Sequence, residues 1–208
     1  MQATLQLKIT LVDTQPAIIR RLIVSSETTF FELHHIIQIA MGWQNMHLFE
    51  FSVNDYVIGI PSEAFEGEPL RDETIIDADS ITVGEALTDV NDTAMYIYDF
   101  GDNWMHEIVV ENINSNATDF AGPACLDGNL SCPPENCGGA IGFERLFDII
   151  KDVQHPEHEQ MLAWLDDYYT QDAFDIDDVN TTLQSLDIYI NNWLNQEENE
   201  DDEDEDDN

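Results

Sequence analysis

The chain of 208 residues sets 6 Lys and Arg against 44 Asp and Glu, a formal net charge of -38 at pH 7, and 43% of its residues are hydrophobic. A charge of that sign repels phosphate backbones and anionic bilayers over the distance that salt leaves unscreened, which excludes nucleic-acid binding through a basic face. The apolar content suffices for one sizeable core, so a single domain over residues 1–194 is expected.

The chain in order opens on a strand. Leu5, Leu7, Ile9 and Leu11 alternate with Gln6, Lys8 and Thr10, which predicts a strand over 4–12 with one buried face. No secretory apolar stretch precedes it and no apolar run approaches a membrane span, pointing to the cytoplasm. Ile18 to Val24 reads as a second, antiparallel strand in which Arg20 and Arg21 point to opposite faces, one of them toward the core. Thr29-Phe30-Phe31-Glu32 has the form of a capping box. Leu33, Ile36, Ile37, Ala40 and Met41 continue it at helical spacing, and Gly42 can end the helix in the left-handed conformation. His47 to Val53 alternates again and turns at Asn54-Asp55 into Tyr56-Val57-Ile58.

Gly59 to Ser80 has no period and reads as an irregular surface excursion, followed by a second capping box at Thr82-Val83-Gly84-Glu85. Met95 to Tyr98 and Trp104 to Val110 form a hairpin around Gly101-Asp102-Asn103. Alternation puts Trp104, His106, Ile108 and Val110 on its core face. Asn114 to Gly142 is loop-like and holds all three cysteines, an odd number that fits reduced thiols or a metal site better than disulfides. Three helices follow, with apolar positions Phe143 to Ile150, then Met161, Leu162, Leu165 and Tyr168 behind His155-Pro156, then Val179, Leu183 and Leu186 behind an Asp175 cap. Residues 195–208, almost all Asp and Glu at the end, read as a disordered polyanionic tail. The order predicts an α+β fold: a mixed, largely antiparallel sheet, with a β-grasp-like N-terminal β-β-α-β unit and a helical C-terminal half.

Two constellations have chemical potential. Cys125, Cys132 and Cys137, with His106 or His47 as a fourth ligand, are of the types that bind zinc; their irregular spacing favours buried structural thiols instead. Asp99, Asp102 and His106 are suited to acid/base work or to a hard cation, as in a metal-assisted hydrolase, against the alternative of turn aspartates beside a core histidine. Cys137 to Gly142 offers amides at a helix start but lacks the lysine of a phosphate loop. The pairs His34-His35 and His155/His158 read as surface or capping residues. The acidic tail is suited to a basic protein partner, or simply to keeping the chain in solution.

The series Leu7 to Leu11, Ile18-Ile19-Arg20-Arg21, Glu32-Leu33-His34 through Met41-Gly42-Trp43, His47 to Phe51, Tyr98 to Ile108, Cys132-Pro133-Pro134-Glu135-Asn136-Cys137-Gly138-Gly139 and His155-Pro156-Glu157-His158 resembles the plasmid pRiA4b ORF-3-like family over roughly residues 3–185. The resemblance implies an α+β domain without an established activity, in a family some of whose members travel with insertion elements. It departs from the family pattern at Phe49, where a second histidine is common, which weakens a metal site around His47. Some members bear a resolvase-like name, but a serine recombinase needs an activated serine among several arginines over DNA, and this acidic chain has only Arg20, Arg21, Arg71 and Arg145. A cytoplasmic binding or interaction module is the expected function.

Overall fold

The structure, a computed structural model, describes residues 3–61, 75–165 and 174–205. Its strands are β1 (Thr4–Leu11), β2 (Ile18–Ser25), β3 (Phe49–Val53), β4 (Tyr56–Gly59), β5 (Ile75–Asp77), β6 (Thr93–Tyr98), β7 (Trp104–Asn114) and β8 (Ala124–Gly128). They form one sheet in the order β5-β4-β3-β6-β7-β1-β2-β8, antiparallel throughout except for β4 with β5. The β-β-α-β succession is present at the N-terminus, and the β6–β7 hairpin lies between β1 and β3 in the sheet.

Register explains the core. Leu7 faces Leu22 on one side and Val110 on the other, and Ile9 lies between Arg20 and Ile108. With a side-chain period of two, these rows share one face, and Leu7, Ile9, Leu22, Ile108 and Val110 are completely buried there. Each contributes about 1.5–3 kcal/mol relative to exposure.

Helix α1 (Phe30–Met41) lies in the core, starting at the Thr29 capping box and ending at Gly42 with φ 81°. Thr29 Oγ1 accepts from the Glu32 N–H at 3.1 Å, while the Glu32 carboxylate accepts from the Thr29 N–H at 3.0 Å. Ten of its twelve residues are buried, because α5 (Ile176–Leu183) and α6 (Leu186–Glu205) contact the helix in addition to the sheet. A helix apolar nearly all round has nowhere to go except a core. The short α2 (Val83–Ala86) begins where Glu85 accepts from both the N–H and the hydroxyl of Thr82. Helices α3 (Gly139–Lys151) and α4 (His158–Leu165) pack on each other.

Four expectations change. The excursion after Gly59 ends in a strand, β5, held parallel to β4; residues 62–74 of it lie outside the described residues. The cysteine loop contains β8, whose pairing with β2 is irregular between Arg21 and Leu22. In α4 the expected apolar face is only partly covered, since Leu162 is exposed, Met161 and Leu165 are half-buried and His158 is the helix's buried residue; Tyr168 lies outside the described residues. The acidic terminus continues α6 as helix to Glu205, rather than leaving it at 195 as composition suggested, because Glu and Gln are strong helix formers and Trp193 anchors the preceding turns. Among the described residues no helix is long and apolar enough to cross a membrane.

Candidate functional site

The hairpin turn is built by its own aspartate. Asp99 (φ 56°) and Asn103 (φ 55°) take the left-handed conformation, which Asp and Asn tolerate better than most residues. The Asp99 carboxylate accepts from the N–H groups of Gly101 at 2.8 Å and Asp102 at 3.2 Å, and its other oxygen lies 3.5 Å from His47 Nε2. Asp102 points elsewhere, accepting from the Gly138 N–H at 3.1 Å. Its carboxylate thereby occupies the anion position at the start of α3, where the helix dipole favours it. Gly139 (φ 67°) makes that joint possible, since a Cβ there would collide with the Asp102 carbonyl.

His106 is buried behind the turn, with Nδ1 donating to the Trp104 carbonyl at 3.1 Å. Its Nε2 has no hydrogen-bond partner among the described residues. Burial pushes its pKa down to about 3, so the ring is neutral at pH 7. The acid/base candidates Asp99, Asp102 and His106 thus serve a turn cap, a loop tether and a core packing position, with no hydrogen bond among the three side chains.

The cysteines are also distributed. Cys132 Sγ lies 3.0 Å from Met41 Sδ and 3.4 Å from an Arg20 nitrogen, Cys125 faces the Asp127 carbonyl, and Cys137 faces the Gly139 carbonyl. All three are free thiols. Burial pushes the pKa of Cys132 up to about 11 and that of Cys137 to about 12, and raises that of Cys125, so the free side chains are thiols at neutral pH. Among the described residues no three His, Cys, Asp or Glu side chains gather in a way that could hold a metal ion, the combination of Cys125, Cys132, Cys137, His47 and His106 included.

Two polar groupings hold this part of the molecule together. On α1, His34 and His35 are buried rather than at the surface. His34 bonds the Tyr96 hydroxyl at 2.8 Å through Nδ1 and Asn45 Oδ1 at 2.6 Å through Nε2. Gln38 donates to the same hydroxyl at 2.9 Å, and Asn45 Nδ2 meets His35 Nδ1 at 3.2 Å. Burial lowers the pKa of His34 well below 6.5, with His35 adding to the effect, and that of His35 to about 4. His158 is likewise buried, with Nδ1 3.2 Å from the Ile149 carbonyl, whereas His155 Nδ1 accepts from the Glu157 N–H just before α4. The second grouping centres on Arg20, buried by its position on the core face of β2. It donates to the carbonyls of Ile19, Ala40, Asn129 and Leu130, and the Phe174 ring lies 3.9 Å from its guanidinium carbon.

Beside these groups a cleft of about 710 Å³ opens between the end of α1, the cysteine loop and the helices α4, α5 and α6. Met41, Trp43, Pro133 and Val179 are among its apolar walls, with Met46 (64% exposed) and Trp164 (46% exposed) also lining it. Glu135 contributes a carboxylate fixed by Tyr98 at 2.5 Å and by the Gln44 N–H at 2.8 Å. Asp99, Asp102 and His106 do not line it.

The model of the plasmid pRiA4b ORF-3-like protein family matches residues 3–179. The chain belongs to that family. It is 34% identical over 163 residues to uncharacterized protein y4hQ of Sinorhizobium fredii, a match covering 78% of this chain and 80% of that protein. It is also similar to the crystal structure of a protein of unknown function, MM3350 from Methanosarcina mazei Go1, at 30% identity with a TM-score of 0.74, covering 86% of this chain and 98% of that one.

In this pRiA4b ORF-3-like chain the segments that carry the resemblance support one another. Trp43 stacks on Tyr98 with ring centroids 5.2 Å apart and donates to the Pro133 carbonyl at 2.8 Å. Tyr98 holds Glu135, and Asp102 holds Gly138. The helix, hairpin and cysteine motifs are therefore one structural unit, and the helix end and cysteine loop of that unit form a wall of the cleft. Reasoning from sequence missed the His34, His35, Gln38 and Asn45 network. Its signal was present: α1 has apolar residues on every side, leaving its histidines no water to face.

Proposed function

We propose that this pRiA4b ORF-3-like protein is a cytoplasmic binding module that takes a segment of a protein partner into the cleft between α1, the cysteine loop and α4–α6. One observation carries the reading: a sizeable cleft with exposed apolar residues at Met46 and Trp164, in which Glu135 and Arg20 are already committed to holding its walls. Such a site offers shape and apolar contact, with no hydrogen-bonded acid/base or nucleophile pair among its described residues. The hydrolase alternative loses its support, because Asp99, Asp102 and His106 neither converge nor reach the cleft. Association with mobile elements belongs to the same proposal, the partner then being encoded beside the family's insertion elements.

The test is site-specific photocrosslinking in cells with p-benzoylphenylalanine at Met46, compared with Tyr56, which is 62% exposed and outside the cleft. A discrete adduct from position 46 is expected, absent from position 56 and lost when Thr182→Trp fills the cleft. No adduct at position 46, or equal adducts from both positions, would sink the proposal.

A further inference from the structure

We infer that the occupant of the cleft is a peptide segment presenting an aromatic or long aliphatic side chain flanked by lysine or arginine. This rests on the reading of the cleft as a partner site and adds the chemistry of the partner.

The charges facing the cleft are one-sided. Glu135, Asp175 and Asp178 line it, and Arg20 is the one cation among its described lining residues. That cation cannot receive an anion. Its nitrogens are spent on the carbonyls of Ile19, Ala40, Asn129 and Leu130 and on the Cys132 thiol, with Phe174 across its face. Glu135 is held by Tyr98 and Gln44, whereas Asp175 and Asp178 retain capacity. Asp175 caps α5 through Oδ1 alone, and the exposed Asp178 makes no side-chain hydrogen bond among the described residues. An anionic ligand would meet these charges unpaired, whereas a cation beside Asp178 meets a hydrated carboxylate with nothing to displace except water. The net charge of -38 acts in the same direction at longer range, drawing cationic segments in and turning anionic ones away. Met41, Trp43, Pro133, Pro134 and Val179 are among the lining residues and give an apolar side chain a surface to pack on, alongside polar walls at Gln44, Asn136 and Thr182.

The experiment is fluorescence anisotropy on the full chain with three fluorescein-labelled heptapeptides sharing a central Trp-Leu pair and flanked by Lys/Arg, by Ser, or by Glu. The Lys/Arg peptide is expected to bind at least about tenfold more tightly than the Ser peptide, with no measurable binding of the Glu peptide. Asp178→Lys should weaken the Lys/Arg peptide roughly five- to tenfold, while Asp55→Lys, the same charge change in the β3–β4 turn, should leave it nearly unchanged.

Equal loss from Asp55→Lys and Asp178→Lys would overturn the inference, because attraction would then be diffuse. Loss on neutralising the acidic residues of 197–205, with none from Asp178→Lys, would move the site to the tail and overturn it as well. If the Ser or Glu peptide binds best, and Thr182→Trp abolishes that binding, the cleft remains a partner site and the charge inference alone fails. If no peptide binds, the inference fails, and the crosslinking from Met46 decides the reading beneath it separately.

Discussion

Arg20 is a cation held in the core without a carboxylate partner among the described residues, and it joins β2, the last turn of α1 and the stretch around Leu130 through carbonyl acceptors. Removing it leaves the Ala40 carbonyl buried and unpaired, takes the donor from the part-buried carbonyls of Asn129 and Leu130, and leaves a void. Arg20→Ala should therefore cost about 3–5 kcal/mol, read as a lower urea midpoint, and Arg20→Lys should recover little because an ammonium cannot reproduce the planar fork. Strand alternation made it legible that one arginine of the pair faces inward, but not which carbonyls it meets, since Ala40 comes from another element and Asn129 and Leu130 from a loop more than a hundred residues away.

Buried imidazoles add a pH dependence whose sign follows from their depressed pKa values. His35 is held at about 4 and His106 at about 3, against 6.5 when unfolded. Below 6.5 the unfolded chain binds protons that the folded chain refuses, so stability present above that pH is lost as pH falls, until the folded pKa is reached. For His35 the loss is on the order of 3 kcal/mol. Relief of self-repulsion among the carboxylates acts in the opposite direction over the same range, so the effect is read as a difference: the decline in unfolding free energy from pH 6.5 to 4 should be shallower in His106→Phe than in the parent chain. The cysteines make a complementary prediction. Their loop is held by Glu135, Pro133 and Asp102, so treatment with EDTA should leave the melting temperature unchanged; a fall of several degrees would show that a metal holds the loop.

At the scale of elements, β8 is an edge strand managed by a side chain. Asn180 on α5 accepts from the Cys125 N–H at 2.7 Å and donates to the Cys125 carbonyl at 3.0 Å, supplying the two bonds a further strand would have made. Asn180→Ala should cost about 1–3 kcal/mol and speed hydrogen exchange at the Cys125 amide, with amides in β1 little affected. The same element shows where sequence was silent. Long alternating strands and capped helices were legible: β1, β2, the β6–β7 hairpin and α1 lie where periodicity put them, down to the Thr29 cap. Ala124–Gly128 and Ile75–Asp77 were not, because strands of five and three residues at sheet edges, flanked by Gly, Pro and Asp, owe their form to pairing rather than to pattern. The site followed the same division. The motifs that build the wall of the cleft could be quoted from the sequence, but the cleft itself arises from tertiary packing of segments far apart along the chain.

For the whole molecule, a charge of -38 on 208 residues means that the folded state holds like charges closer together than the unfolded chain does. Screening should offset that cost. Raising NaCl from 20 mM to 0.5 M is expected to raise the melting temperature by at least about 3 °C, equivalent to roughly 1 kcal/mol in a chain of this size. A temperature that falls with salt would mean that favourable ion pairs such as Arg21 with Glu111 and Asp127 outweigh the repulsion.

The strand order also sets a timetable for synthesis. β1 leaves the ribosome well before one of its two neighbours, β7, which ends at Asn114, and the hairpin carrying β7 separates β1 from β3. Until β7 has been translated, the β1–β2 hairpin and α1 lack the strand that joins them to the rest of the sheet, and their Leu and Ile face is left to chaperones or to one another. A ribosome stalled before residue 104 should therefore display a nascent chain open to protease between β1 and α1, and protection should arise together across both once β7 clears the exit tunnel.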